Sequence, residues 1–210
     1  MADAEFDRNV FVNCPFDAAY EPILQAVLFC IVSFGLNPRI ATERSDAGET
    51  RLAKIEELIE SSRYSIHDLS RCQAGAAGEH YRLNMPFELG LDVGCKRYGG
   101  GAMSGKAILV LEEQPWRYQV ALSDLAGNDI ESHGGNHAVA VRKVRNWLTG
   151  LGGFDRIGAK RVLSDYENFQ EWHLERQIAA GFGDDDIRDF DTAELLAGML
   201  EWVALGRPIP

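Results

Sequence analysis

Four short apolar runs recur along the first half of this chain, separated by patterns of helical period. "VFVNC" (Val10 to Cys14), "PRIAT" (Pro38 to Thr42), "YSIHDL" (Tyr64 to Leu69) and "KAILVLEE" (Lys106 to Glu113) read as strands, the last a fully buried one. Between the first two, "YEPILQAVLFCIVSFG" is apolar around most of its circumference, which predicts a helix buried against a sheet and stopped at Gly35. Between the second and third, Leu52, Ile55, Leu58 and Ile59 share one face, with Lys54, Glu56, Glu57 and Glu60 elsewhere. A Gly/Ala-rich loop from Ser70 to about Leu83 leads into a third helix. Strands alternating with helices over short connections imply an α/β fold, a parallel sheet covered on both faces.

Beyond Trp116 a fifth strand is expected near Asp129 to Ser132. "HAVAVRKVRNWL" follows as an amphipathic helix with Val139, Val141, Val144, Trp147 and Leu148 apolar. The glycines from Gly150 onward mark a change of pattern. The division expected is therefore an α/β domain over 1–150 and a C-terminal helical extension over 151–210. "AELLAGMLEWV" is its clearest helix. The stripe of Leu195, Leu196, Met199, Leu200, Trp202 and Val203 reads as core packing, with the Trp leaving an oligomer contact open.

Composition narrows the partners. The net charge of −11 argues against nucleic acid, whose phosphates need a basic surface, although a local pair of arginines can still hold a small anion. No apolar run approaches 18 residues, so no membrane span is expected. "MADAEFDRN" lacks the apolar core of a signal peptide, and the four separated cysteines (Cys14, Cys30, Cys72, Cys95) read as reduced thiols. A cytoplasmic protein is expected.

Open parallel sheets bind ligands outside the carboxyl ends of their strands. That rule selects "NCPFD", "ERSDAGE" and "DLSR", and with them Asn13, Pro15, Phe16, Asp17, Arg44, Asp68, Ser70 and Arg71. Just beyond lies "RLNMPFELGLDVG". Asn84 is a candidate helix cap, and Pro86 is tolerated in a first turn. Glu88 follows among Phe87, Leu89, Leu91 and Val93, with Gly90 and Gly94 a turn apart. Either Glu88 is a solvated helix-start glutamate, favoured by the macrodipole, or it faces a ligand that the glycines let come close.

Glycosidic chemistry is one use for a carboxylate at that place. Cleaving a glycosidic bond to ribose develops positive charge at the ring carbon, which a carboxylate stabilises or attacks. Nicotinamide leaves NAD as a neutral molecule and needs no proton donor. A purine leaves badly without one, and Asp68 is the candidate second acid, sharing a cleft with Glu88. Mutual repulsion and partial burial would then raise the pKa of at least one of the pair.

Two features are decoys. "GGAMSGK" matches part of a phosphate-binding P-loop, but it follows a helix and opens a strand, and Ala107 replaces the magnesium-binding hydroxyl. His133 and His137 have metal-like spacing without a third ligand, and read as surface histidines at a helix start. No metal is called.

"SIHDLSR" followed by "NMPFELG" resembles bacterial TIR-like and nucleoside 2-deoxyribosyltransferase-like proteins, and "VFVNCPFD" is similar to the first strand and loop of that group. The resemblance covers about residues 10 to 150. It implies a flavodoxin-like parallel sheet of about five strands and chemistry at the N-glycosidic bond of NAD or a nucleoside, with the nucleotide as substrate and no cofactor. It further implies that Glu88 is the catalytic carboxylate, that Asn84 shapes the ribose pocket, and that Asp68 and Ser70 contact sugar or base. By charge and place Arg71 either pairs with a phosphate or is a surface arginine. Many such proteins are defence effectors that act on NAD, often as oligomers. The alternative is a binding module in which Arg39, Arg44, Arg51 and Arg71 read a nucleotide signal and the output is assembly with a partner. A third reading is a structural protein with a helix-start Glu88.

Overall fold

In the computed structural model the described residues are 5–44, 46, 48–72, 74, 82–120 and 122–209, apart from the side chains at 184 and 188. Five strands form one all-parallel sheet: β1 (Asn9–Asn13), β2 (Asn37–Ile40), β3 (Tyr64–Asp68), β4 (Ala107–Glu112) and β5 (Ile130–Ser132). Their spatial order is β2-β1-β3-β4-β5. The chain builds outward from β1 in one direction to β2, then crosses to β3 and continues the other way. The expected α/β, flavodoxin-like architecture is the one observed.

The strands are buried because they are central. β1 and β3 are buried at every position, and alternate side chains enter opposite cores. Val10, Val12, Ile66, Leu109 and Leu111 face α1 (Glu21–Ser33) and α4 (His137–Leu151). Phe11 faces α2 (Arg51–Glu60), while Val110 packs with Met85 and Leu89 of α3 (Asn84–Tyr98). β4 corrects the expectation of full burial. Ala107 and Ile108 are only half-buried, because three-residue β5 pairs no further back than Val110.

α1 is buried on nearly every side from Ile23 to Ser33, and the second covering comes from the extension. There α5 (Ala159–Ala179), α6 (Asp184–Arg188) and α7 (Thr192–Ala204) follow α4. α1 packs against α5 and α7 as well as α4. Phe29 of α1 lies 5.3 Å from the Tyr166 ring and 5.6 Å from each of Phe169 and Trp202. Val162, Tyr166, Phe169, Met199 and Trp202 thus share one apolar core with the sheet. In α7, Met199 and Trp202 are buried, but Leu200 points outward and is 44% exposed, which corrects its place in the packing stripe.

Asn84 is not the cap of α3. Leu83 stands at that position without a side-chain bond, and Asn84 opens the helix with its side chain turned to Glu88 one turn on. The Gly/Ala-rich loop expected from Ser70 lies largely outside the described residues, as do Ser45 and Ala47 of "ERSDAGE". All four cysteines are free thiols, and no helix among the described residues is long and apolar enough to cross a membrane.

Candidate functional site

The strand order reverses between β1 and β3, and their carboxyl ends mark the place where such sheets take ligands. Asn13 ends β1. Its side-chain amide donates to the Met85 carbonyl at 3.1 Å and to Nδ1 of His67 at 3.1 Å, tying the start of α3 to both strands. Because Nδ1 accepts, the His67 proton sits on Nε2 and is donated to Asp92 Oδ2 at 3.0 Å. Asp92 meets Lys106 in turn at 3.2 Å, and Lys106 donates to the carbonyls of Ile59 (2.6 Å) and Ser62. The P-loop-like lysine is therefore a buried structural cation.

Glu88 stands one turn beyond Met85 and is 4% exposed, which removes the reading of a solvated helix-start glutamate. Burial raises its pKa above the usual carboxylate value, while the Arg51 charge and hydrogen bonds from Asn84 and Arg51 only partly offset that rise. Arg51 reaches it at 3.7 Å from the start of α2. The glycines do not make room beside it. Gly90 and Gly94 lie on a different side of α3 and line a groove of about 830 Å³ between α2 and α3, together with Ile59, Leu91 and Cys95.

Asp68 ends β3 and is fully buried. Its Oδ1 accepts from the Ser70 amide at 2.9 Å and from the Ser70 hydroxyl, and its Oδ2 accepts from the Tyr20 hydroxyl at 2.6 Å and from His133 Nε2 at 3.0 Å. The Gly135 amide donates to Nδ1 of His133 at 3.1 Å, which fixes the histidine proton on Nε2. Burial pushes the Asp68 carboxyl up, but the bonds from His133, Ser70 and Tyr20 outweigh it, and the pKa is lowered. An enclosed carboxylate held in its charged form is not a proton donor, so the acid role does not fit Asp68. The charges of Asp68 and Glu88 both raise the Cys14 thiol at the end of β1, after burial has done most of that. Their own shifts run in opposite directions, and neither arises from the other.

His133 corrects its reading as a surface residue: it is 2% exposed and belongs to this cluster. Sequence reasoning missed Tyr20 as well. The available signal was the pair of glycines after His133, which take left-handed φ values of +61° and +70° and turn the Gly135 amide back onto the ring. His137 remains exposed at the start of α4.

The other expected contacts are placed as follows. Pro15 is buried and Phe16 is 40% exposed. Asp17 accepts from Arg71 at 3.1 and 3.2 Å and meets Arg82 at 3.4 Å, while Arg71 also binds Glu113 at 3.2 Å. Arg44 is held by Glu49 and Glu57, with contacts of 2.5 to 3.1 Å. Arg39 forks onto Glu43 at 2.7 Å. All four ligand-side arginines thus meet carboxylates, Arg39, Arg44 and Arg71 at hydrogen-bonding distance and Arg51 at 3.7 Å. Searches against family models, curated proteins and solved structures return no match to this chain.

Proposed function

We propose that the protein belongs with the TIR-like and nucleoside 2-deoxyribosyltransferase-like proteins and cleaves or transfers at the N-glycosidic bond of NAD or a related nucleotide. The observation that carries this reading is Glu88, a nearly enclosed carboxylate with a raised pKa at the β1/β3 crevice. A ribose seated there presents its C1′ to that carboxylate. The C1′–N bond breaks and its electron pair leaves with the base, and the ionised Glu88 offsets the charge left on the sugar. Water, or an acceptor hydroxyl, then adds to C1′ and gives up a proton.

Asp68 offers no proton, so a base that departs neutral from a cationic nitrogen suits the site better than a purine. That ranks nicotinamide nucleotides first. The substrate supplies all the chemistry, and no separate cofactor is invoked. The setting proposed is the cytoplasm, where free thiols persist, in a bacterial anti-phage defence role as a homo-oligomer or with a defence-system partner. The sensor alternative rests on the ligand-side arginines, and the carboxylates already held by Arg39, Arg44 and Arg71 weigh against it.

The test is incubation with NAD and a nucleoside panel, followed by chromatography for free base. Nicotinamide released from NAD by the wild type and not by Glu88→Gln supports the reading; no base from any substrate rejects it.

A further inference from the structure

Arg51 differs from Arg39, Arg44 and Arg71, the other arginines expected on the ligand side. It is the first residue of α2, whose start is fixed by Thr50 accepting from the Ala53 amide at 3.2 Å. Its side chain is 58% exposed, and its ionic partner is Glu88, with Nη2 3.7 Å from Oε1. That separation is longer than a good N–H···O hydrogen bond, so Glu88 engages only one corner of the guanidinium and most of the fork of donors stays in solvent. Arg39 and Arg44, by contrast, hold their glutamates at 2.7 Å, and Arg71 is shared between Asp17 and Glu113 at 3.1 and 3.2 Å. Of these four arginines, the one left available is therefore the one beside Glu88, the carboxylate that the glycosidic reading sets against the ribose.

We infer that Arg51 binds the 5′-phosphate of the substrate and makes the site selective for a phosphorylated nucleotide over a free nucleoside. The inference rests on the glycosidic reading of Glu88. A ribose with C1′ against Glu88 carries its 5′-phosphate one sugar's width away, within the swing of a long side chain anchored at the same spot. A phosphate offers the guanidinium two parallel charge-assisted bonds, a stronger partner than a carboxylate held at long range. Turning to the phosphate also takes the nearest cation away from Glu88 and leaves that carboxylate's charge to the sugar. In a chain of net charge −11, an anionic substrate needs such a local cation.

Nicotinamide mononucleotide and nicotinamide riboside share one glycosidic bond and differ only in the phosphate. The wild type is expected to show a kcat/KM for the mononucleotide about 10- to 100-fold above that for the riboside, the contribution of hydrogen bonds between charged groups. Arg51→Gln should bring that ratio close to one, and Arg51→Lys should restore part of it. Any effect of the substitution on Glu88 itself cancels in the ratio. Inorganic phosphate should compete with the mononucleotide and not with the riboside, which separates recognition of a nucleotide phosphate from recognition of phosphate alone.

Calorimetry on the Glu88→Gln protein repeats the comparison without turnover. An unchanged ratio in Arg51→Gln, with base still released, rejects Arg51 and leaves the glycosidic reading standing. An Arg51-dependent preference in binding without base release by the wild type upholds Arg51 and rejects the glycosidic reading. Release from neither compound together with binding of neither rejects both.

Discussion

Asp68→Asn removes one charge while nearly preserving shape, and it probes the residue that gathers three loops at the crevice. The Asn carbonyl can still accept from the amide and hydroxyl of Ser70. Its amide then faces Tyr20 and His133. The tyrosine hydroxyl can turn to accept, but His133 cannot, because its Nδ1 is committed to the Gly135 amide and Nε2 carries the proton. The His133 donor is left facing the Asn amide, with the Ser70 hydroxyl oxygen at 3.1 Å as its remaining acceptor. Hydrogen bonds to a charged group contribute about 1.5–3 kcal/mol each, and with one of the two recovered in neutral form the expected loss is about 2–4 kcal/mol. Asp68→Ala removes the acceptor of all four bonds and leaves His133 only the Ser70 hydroxyl oxygen, 3.1 Å from Nε2, so it should cost at least as much as the Asn substitution. For a chain of 210 residues, about 2–4 °C per kcal/mol converts the Asn loss into a Tm lower by roughly 4–16 °C. Urea denaturation and calorimetry at pH 7 measure both. The folded pKa of Asp68 is lowered, so its stabilisation is complete above the unfolded value of about 3.9 and fades as pH falls through the folded value. The difference between wild type and Asp68→Asn should therefore be level from pH 5 to 8 and shrink in acid. A loss under about 0.5 kcal/mol, or one that grows on acidification, would refute the keystone role.

Glu88 should behave in the opposite sense. Its folded pKa is raised, so whatever it contributes to stability is present below the unfolded value of about 4.3 and disappears as pH rises through the folded one. At pH 7, Glu88→Gln should melt level with or above wild type by calorimetry; a lower Tm would contradict the sign of that shift. Phe29→Ala should cost about 3–5 kcal/mol in denaturant titrations, because the ring lies fully buried between α1 and the aromatic residues of α5 and α7. Gly198→Ala should destabilise by about 1–3 kcal/mol despite its better helix propensity. The added Cβ would stand 2.8 Å from Nδ1 of His173, which is confined between Phe169 and Phe190.

The sheet was legible because its strands are buried on both faces and so form continuous apolar runs; each expected strand is found within a residue or two of its place. α1 was legible as a helix buried on most sides, but its second covering comes from residues more than 130 positions away, and periodicity carries no such long-range information. The crevice followed from the fold rule, and with it Glu88 and Asp68. Their difference did not follow. Both are acidic residues near strand ends, and only the donors folded around Asp68 show that one is held charged by four hydrogen bonds while the other is buried with Asn84 and a longer-range arginine beside it. His133 escaped because an isolated histidine in a glycine turn carries no periodic pattern. Arg44 and Arg71 looked available because a sequence does not show which charges already pair.

The central claim is that Glu88 breaks an N-glycosidic bond. Its most direct test is the rate of nicotinamide release from NAD, measured side by side for wild type and Glu88→Gln with the Tm of each recorded. Removing an electrostatic contribution of this kind should slow release by about 10²-fold or more, with the Tm of the variant no lower than that of wild type. Full turnover by Glu88→Gln, or loss of turnover only in step with early melting, would contradict the claim.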